Sequence, residues 1–260
     1  VILDADCHIM NYEMGAISSF AGAMPHPVHG ERGFPAPEQV ESAIRPPIYY
    51  CCRTTLLCLE NTHNMQGGGI YPRERFRAVT DLARRRGLKV HLDGARIFNA
   101  SVASGVPAAS LAEGTDSVMF CLSKGLCAPV GSMLVGTRAF IEEAVSMRKR
   151  MGGGMRQAGI LAAAGLVALD TMVGRLAEDH SHARLLSERL AEIPGIEIDP
   201  SGVETNIVIF RTRKVAAASL ADRLRAAGVL CLAISADKIR MVTHHDVSRD
   251  QVLRAAAEIV

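Results

Sequence analysis

The chain has 260 residues, which is long enough for one large domain with a smaller one attached. Its hydrophobic share of 48% and charged share of 22% are those of an ordinary globular protein, and its net charge of +2 argues against binding to nucleic acid or an anionic membrane. Seven cysteines without a CxxC pair argue against a disulfide framework or a structural zinc site, so we expect no metal and a cytoplasmic location.

Helical and strand patterns alternate through the first two thirds of the chain. Residues 72–87 form the best-marked helix, because Pro72 starts it, Gly87 ends it, and an apolar face repeats at helical spacing between them. The other elements predicted in this part are a helix at 11–21 and strands at 55–59, 89–93, 117–123 and 132–136. Helices between near-continuous apolar strands are typical of an α/β fold with a largely parallel sheet.

The last third of the chain has a different pattern. Residues 155–172 are apolar on all sides and predict a buried helix, and an amphipathic helix follows with Leu176, Ala183, Leu186, Leu190 and Ile193 on its apolar face. The tail then predicts strands at 205–210 and 238–242 and helices at 216–227 and 248–259. We therefore predict a large domain over residues 1–172 and a small α+β domain over residues 173–260.

The segment KVHLDGARIFNA, residues 89–100, places Asp93 at the end of a buried strand and Arg96 in the turn after it. One interpretation is structural: Asp93 pairs with Arg96 and caps the next helix. The other is functional, because in open α/β sheets ligands bind at the carboxyl ends of the strands. The segment alone favours neither.

Lys124 follows the next apolar strand, 31 positions after Asp93, a spacing that one strand-helix-strand unit can span. A lysine partly withdrawn from water has a depressed pKa and is a competent nucleophile for a Schiff base. An aspartate on the same edge suits the ring nitrogen of pyridoxal 5'-phosphate (PLP). Many α/β proteins have such a pair, so spacing alone makes PLP one hypothesis among several.

Longer motifs carry a resemblance to a known family. LENTHNMQGGGIYP, HLDGARIFNA, SKGLCAPVGS, RKRMGGGMRQAGILAAAG and IRMVTHHDVSR closely resemble the low-specificity L-threonine aldolases, which are PLP-dependent enzymes of fold type I in the β-eliminating lyase group. The resemblance runs over essentially the whole chain in the family's order. It implies an α/β, aspartate-aminotransferase-like large domain and retro-aldol cleavage of L-threonine or L-allo-threonine to glycine and acetaldehyde.

The resemblance also implies roles for the residues that bind the cofactor. Lys124 would form the Schiff base, Asp93 would pair with the pyridine nitrogen, and Ser123 would lie beside the cofactor. Arg156 would reach the cofactor phosphate, from the same subunit or across an interface. His8 would stack on the ring and, in a second role, act as base on the β-hydroxyl; a capping or core histidine is the structural alternative.

Three residues would bind the substrate. Arg240 matches the arginine that grips the α-carboxylate, and Arg96 would contact both the phenolic oxygen of the cofactor and the carboxylate region. Tyr50 occupies a place where some relatives have a histidine near the substrate side chain, which leaves the preference for the β-carbon open. His63 is expected to order a loop near the site, and His180 and His182 to be solvated.

Departures from the family pattern leave alternatives. Cys127 replaces a glycine usual in the family, and a positive φ there would strain it.

We read the abrupt start VILDADCHI as lacking an amino-terminal segment of about seventy residues that relatives carry. The rivals are another β-eliminating lyase or β-hydroxy amino acid aldolase, and a non-catalytic truncated paralogue. Fold type I enzymes usually place their sites at subunit interfaces, so a homodimer or homotetramer is expected.

Overall fold

The computed structural model describes residues 1–259 and contains two β-sheets. The first has six strands in the order β2-β1-β3-β4-β5-β6, and all neighbours are parallel except β5 and β6. Its strands are β1 (Ile2–Asp4), β2 (His26–Val28), β3 (Leu56–Glu60), β4 (Lys89–Asp93), β5 (Ser117–Cys121) and β6 (Ser132–Gly136). The prediction of a largely parallel sheet is confirmed.

The helix predicted at 72–87 is α4 (Arg73–Arg85), which connects β3 to β4. Its apolar face is buried as the sequence pattern requires, through Phe76, Val79, Leu82 and Ala83. This helix makes β3 and β4 parallel neighbours and puts the carboxyl ends of both strands at one edge of the sheet.

Strand β6 runs antiparallel to β5 because the ten residues between them, 122–131, contain no crossover helix. All five residues of β6 are exposed, which the apolar sequence of this strand did not predict. The remaining helices around this sheet are α1 (His8–Asn11), α2 (Ala16–Ser19), α3 (Pro37–Ala43), α5 (Ile97–Ser104), α6 (Ala108–Leu111) and α7 (Arg138–Arg150).

Two helix predictions are corrected. The helix predicted at 11–21 is two short helices, α1 and α2, because Met14 and Gly15 between them have φ values of 52° and 70°. The helix predicted at 155–172 is α8 (Gly159–Thr171), but it is largely exposed: Ile160 is 86% exposed, and only Gly165 and Ala168 are buried. A helix that is apolar on every side does not reveal from sequence which face packs, and here it is the face with the smallest side chains.

The second sheet has the order β7-β8-β10-β9 and is entirely antiparallel. Its strands are β7 (Ile196–Glu197), β8 (Ile207–Thr212), β9 (Leu232–Ala233) and β10 (Lys238–Val242), and its helices are α9 (Leu176–Ala191), α10 (Ala217–Ala226) and α11 (Arg249–Ala257). A separate cluster of buried apolar side chains from α9, α10, α11 and the sheet forms its core. The predicted boundary between residues 172 and 173 stays a prediction.

Helix α9 buries Leu176, Ala183, Leu186 and Leu190, as predicted. The expectation of solvated histidines on this helix is wrong for His182, which is buried. The neighbouring His180 is partly buried and lies 3.1 Å from the Asn99 amide, and burial lowers its pKa to about 4. The helix packs on both α5 and α11, so it has two buried sides, whereas the amphipathic pattern indicates only one.

Within residues 1–259, no single helix is both long enough and apolar enough to cross a membrane. Helices α8 and α9, which meet at 68°, meet that length and composition test only when taken together.

Candidate active site

The carboxyl ends of β3, β4 and β5 bring the predicted site residues to one edge of the sheet. Glu60 ends β3 and lies in register with Asp93, which ends β4. Lys124 follows β5 by three residues, in the loop that leads to β6. The topology therefore places Asp93 and Lys124 at the edge where parallel strands present ligands.

Asp93 is 2% exposed and has one oxygen with a partner and one without. Its Oδ1 accepts a hydrogen bond from the backbone N–H of Ala95 at 3.0 Å, whereas Oδ2 is buried and has no partner within residues 1–259. Gly94 lets the backbone lie close against β5, since a Cβ at this position would be 2.9 Å from the Met119 carbonyl oxygen. A buried carboxylate oxygen without a partner costs free energy, so it marks a place where a ligand donor fits.

Arg96 does not pair with Asp93, so the structural interpretation of this segment is wrong in that respect. Its Nη1 donates to Asn64 Oδ1 at 3.3 Å, and Nη2 of Arg240 donates to the same oxygen at 2.8 Å. In the described part of the chain, neither guanidinium forms an ion pair with a carboxylate. Two arginines from different sheets thus meet at one neutral amide.

Burial disfavours the charged form of both arginines and so lowers the pKa of each guanidinium. Burial, and after it the neighbouring charge of Arg240, lowers the pKa of Arg96 to about 10, and burial also lowers the pKa of Arg240. Arg96 stays charged at neutral pH, because a pKa of about 10 lies well above it. With no carboxylate paired directly to either guanidinium in the described chain, the two arginines form a positive site that suits a carboxylate ligand.

Glu60 holds two parts of the site together. Its Oε2 accepts from the backbone N–H of His8 and its Oε1 from the backbone N–H of Asn64, each at 2.7 Å. The side chain is almost fully buried, and burial raises the pKa of its carboxyl. Sequence analysis missed Glu60 and Asn64, although Glu60 gives the same signal as Asp93: an acid at the carboxyl end of a buried strand.

His8 begins α1 and is half-buried, so it is neither a core nor a simple surface histidine. Its ring stacks on Tyr12 with centroids 5.3 Å apart, and its Nε2 lies 2.8 Å from Glu13 Oε1. A carboxylate at Nε2 favours the tautomer with the proton on that nitrogen and leaves the lone pair on Nδ1. Glu13, a third residue that sequence analysis missed, thereby orients the ring.

His63 is fully buried beside the site, and its Nε2 lies 3.2 Å from Asp4 Oδ1. Burial alone would lower its pKa, but the hydrogen bond to Asp4 and the nearby Glu60 carboxylate outweigh burial and raise the pKa of His63 above 6.5. The same bond contributes to lowering the pKa of Asp4 below 3.8, against the effect of burial. His63 therefore helps to order the loop that carries Asn64, in keeping with its predicted role.

This pair predicts a pH dependence of stability. A raised histidine pKa contributes stability that is complete below pH 6.5 and is lost as pH rises through the folded-state pKa, while the lowered pKa of Asp4 contributes stability that is lost as pH falls below 3.8. We expect His63→Gln to cost about 2 kcal/mol on the acid side of the histidine titration and less above it. Urea unfolding over a pH series measures this, with the exposed His29→Gln as control; an equal cost at every pH would contradict it.

Lys124 lies in the β5–β6 loop, partly buried, and its ammonium has no hydrogen-bond or salt-bridge partner among residues 1–259. The exposed Ser123 next to it donates its hydroxyl to the Gly131 carbonyl at 3.3 Å. The loop turns at Cys127, whose N–H donates to the Lys124 carbonyl at 2.9 Å and whose φ is +59°. The strain expected for a cysteine at this glycine position is therefore present.

Replacing Cys127 with glycine is expected to raise the free energy of unfolding by about 1 kcal/mol. Glycine adopts the left-handed region without steric cost, although its greater freedom in the unfolded chain offsets part of the gain. Urea denaturation of wild type, Cys127→Gly and Cys127→Ser measures the effect. The serine variant removes the thiol and keeps the strain, so a serine variant as stable as the glycine variant would show that the thiol, and not φ, is responsible.

Two predicted site residues make no hydrogen bond or ion pair with this cluster in the chain described. Tyr50 is 72% exposed, and its ring makes an edge contact with Tyr49 with centroids 5.0 Å apart. Arg156 is exposed in the loop before α8. The roles of both residues stay predictions.

The residues present fit PLP. The buried, unpartnered Oδ2 of Asp93 is an acceptor of the kind a protonated ring nitrogen requires, and the free amine of Lys124 is the group that joins a cofactor aldehyde. No group of three or more His, Cys, Asp or Glu side chains that could hold a metal ion occurs within residues 1–259.

Comparisons with known proteins identify the family of the chain. The family model described as beta-eliminating lyase matches residues 1–214. Low-specificity L-threonine aldolase 1 of Arabidopsis thaliana is 44% identical over 258 residues, which cover 97% of this chain and 72% of that protein.

Solved structures show the fold. A threonine aldolase of Leishmania major has a TM-score of 0.80 at 18% identity, covering 99% of this chain and 75% of that one. An aspartate aminotransferase variant of Thermus thermophilus has a TM-score of 0.70 at 18% identity, covering 100% and 73%. The predicted aspartate-aminotransferase-like α/β fold is confirmed.

Proposed function

Because the chain belongs to the beta-eliminating lyase family, and within it to the threonine aldolases, we propose that it cleaves L-threonine or L-allo-threonine to glycine and acetaldehyde. The observation that carries the proposal is the buried, unpartnered Oδ2 of Asp93 at the sheet edge shared with Lys124. Oδ1 of this carboxylate holds the turn at Ala95, whereas Oδ2 has no partner in the described chain and suits a cationic pyridine ring.

PLP is the cofactor, and when bound it supplies an electron-withdrawing ring that accepts the electron pair released as the Cα–Cβ bond breaks. In this proposal Lys124 would hold it covalently, Asp93 would keep its ring nitrogen protonated, and His8 would pack against its ring. Ser123 and Arg156 complete the set by binding the cofactor from the loops that carry them.

Arg96 and Arg240 bind the substrate α-carboxylate. Their uncompensated charges, joined through Asn64, support this role, since an amino acid carboxylate would supply the missing negative charge. A carboxylate fixed at two points orients the substrate about its Cα, and so sets which bond to Cα is broken. Tyr50 would contact the side chain on the β-carbon.

His8 moves the proton. With Nε2 held by Glu13, its Nδ1 lone pair accepts the proton of the β-hydroxyl, and that oxygen then becomes the carbonyl oxygen of acetaldehyde. The electron pair of the Cα–Cβ bond remains on the glycine fragment, whose Cα takes up a proton before release. Glycine and acetaldehyde together contain all the atoms of threonine, so the cleavage needs no other reactant.

The test is acetaldehyde release from each isomer by the purified protein with PLP. L-threonine and L-allo-threonine are supplied separately, with D-threonine as control, and acetaldehyde is measured by coupled reduction. Release from either L-isomer supports the proposal, and the ratio of rates gives the β-carbon preference. Cofactor binding without acetaldehyde from either isomer would overturn it and favour another β-eliminating reaction.

We also propose a homodimer or homotetramer in the cytoplasm. Exposed apolar side chains on β6 and α8, among them Leu134, Val135, Ile160 and Leu166, support assembly, because large exposed apolar patches mark contact surfaces. All seven cysteines are free thiols, which supports a reducing compartment. Light scattering of the purified protein tests the assembly, and a monomer at micromolar concentration would contradict it.

A further inference from the structure

We propose that Asn64 is the positioning residue that joins Arg96 and Arg240 into one carboxylate site without neutralising them. The inference rests on the proposed function, since it concerns the α-carboxylate of the same substrate. In this role the uncharged Asn64 side chain acts on the substrate only through the two arginines.

The geometry is specific to this amide. Asn64 Oδ1 accepts from Arg240 Nη2 at 2.8 Å and from Arg96 Nη1 at 3.3 Å. Arg240 comes from β10 in the second sheet, and Arg96 from the turn after β4 in the first. One oxygen therefore ties together two elements that have no direct bond to each other at this point.

The backbone of Asn64 is fixed independently. Its N–H donates to Oε1 of the buried Glu60 at 2.7 Å, and the other oxygen of Glu60 holds the N–H of His8. Asn64 also begins a single turn of 3-10 helix, which limits its movement. The amide thus presents its oxygen to the arginines from a rigid support, as a positioning residue requires.

The acceptor between the two arginines is a neutral amide and not a carboxylate, so it does not cancel their positive charge. Two half-buried guanidiniums repel each other, and the Nε of Arg240 is buried without a partner in the described chain. An aspartate at position 64 would hold the same geometry but would supply the negative charge that the substrate is meant to bring. Asparagine aligns the pair and leaves its charge for the ligand.

The experiment titrates the PLP-loaded enzyme with glycine and follows the change in cofactor absorption. Asn64→Asp is expected to weaken glycine binding by about 100-fold, since a charged internal competitor must be displaced, and Asn64→Ala by about 10-fold, since alignment alone is lost. Gln66→Glu makes the same amide-to-carboxylate change on the same turn, beside Asp6 and away from both arginines, and is expected to change binding less than about 3-fold.

Two further readouts separate positioning from a structural role. KM for the substrate should rise by the same factors while kcat changes less than about 3-fold. The affinity for PLP and the melting temperature should stay within error in Asn64→Ala; if Asn64→Asp does not fold, the alanine variant and its KM-to-kcat split decide the matter. Equal glycine affinity in wild type and Asn64→Asp, or in wild type and Asn64→Ala, would overturn the inference.

The glycine titration tests the role of Asn64 whether or not the enzyme cleaves threonine. Glycine binding needs the cofactor and the carboxylate site but no cleavage of a Cα–Cβ bond, so a wild type that releases no acetaldehyde, yet shows the Asn64 effect on glycine, would overturn the proposed function and leave this inference standing. Acetaldehyde release together with unchanged glycine binding in the Asn64 variants would do the reverse.

Discussion

Replacing Lys124 with alanine is expected to abolish covalent attachment of PLP and to lower kcat/KM for threonine by at least about 1,000-fold. The Lys124 ammonium has no partner within residues 1–259, so its removal breaks no hydrogen bond or salt bridge there. The fold should therefore survive, and the loss should be chemical.

The measurement is reduction of the loaded protein with borohydride followed by mass spectrometry. Wild type should retain the mass of one reduced cofactor per chain, and the variant should retain none. Lys214→Ala, on an exposed turn of the second sheet, is the matched control and should retain both mass and activity. A labelled Lys124→Ala chain would assign the attachment to another lysine and overturn the role given to Lys124.

Replacing Asp93 with asparagine is expected to have the next largest effect, a loss of at least about 100-fold in kcat. The two side chains have the same shape, and the amide oxygen can still accept from the N–H of Ala95. What is lost is the charge on the buried Oδ2 and with it the preference for a protonated ring nitrogen.

Stability separates this charge effect from damage to the fold. The ligand-free Asp93→Asn protein should melt at the same temperature as wild type or higher, because a buried carboxylate with an unpartnered oxygen is replaced by a neutral group. The rise in melting temperature on adding PLP should shrink in the variant. Asp81→Asn, on the exposed side of α4, is the control. A ligand-free variant that melts well below wild type would mean that Asp93 is a structural residue.

Several parts of the fold followed from local pattern. Helix α4 and strand β10 lie where periodicity placed them, because their apolar residues repeat at the spacing of the element and face a single core. The solvent exposure of β6 and α8 could not be predicted from the local sequence pattern. Both are mainly apolar, and burial was predicted for the helix; the described chain buries only Gly165 and Ala168 of α8 and leaves all five residues of β6 exposed.

The site divides in the same way. Asp93, Arg96, Lys124, His8 and Arg240 could be named from motifs, and the strand order explains why the first three come to one edge. Asn64 and Glu13 could not, since the role of Asn64 depends on an arginine 176 positions away and that of Glu13 on the orientation of the His8 ring. Glu60 carried a signal in the sequence, because it ends a buried strand as Asp93 does, but its two backbone partners became visible only in the structure.

The sequence by itself determined the kinds of element, the mainly parallel sheet, the family, and the residue types that bind a pyridine cofactor and a carboxylate. Local spacing and motif carry that information, because it depends on side chains close together along the chain. Only the tertiary structure decided that Asp93 stands apart from Arg96, and that Arg96 meets Arg240 across 144 positions at the oxygen of Asn64. Those contacts depend on how the two sheets pack against each other. Many residues distant in sequence contribute to the free energy of that packing, so no single segment predicts it.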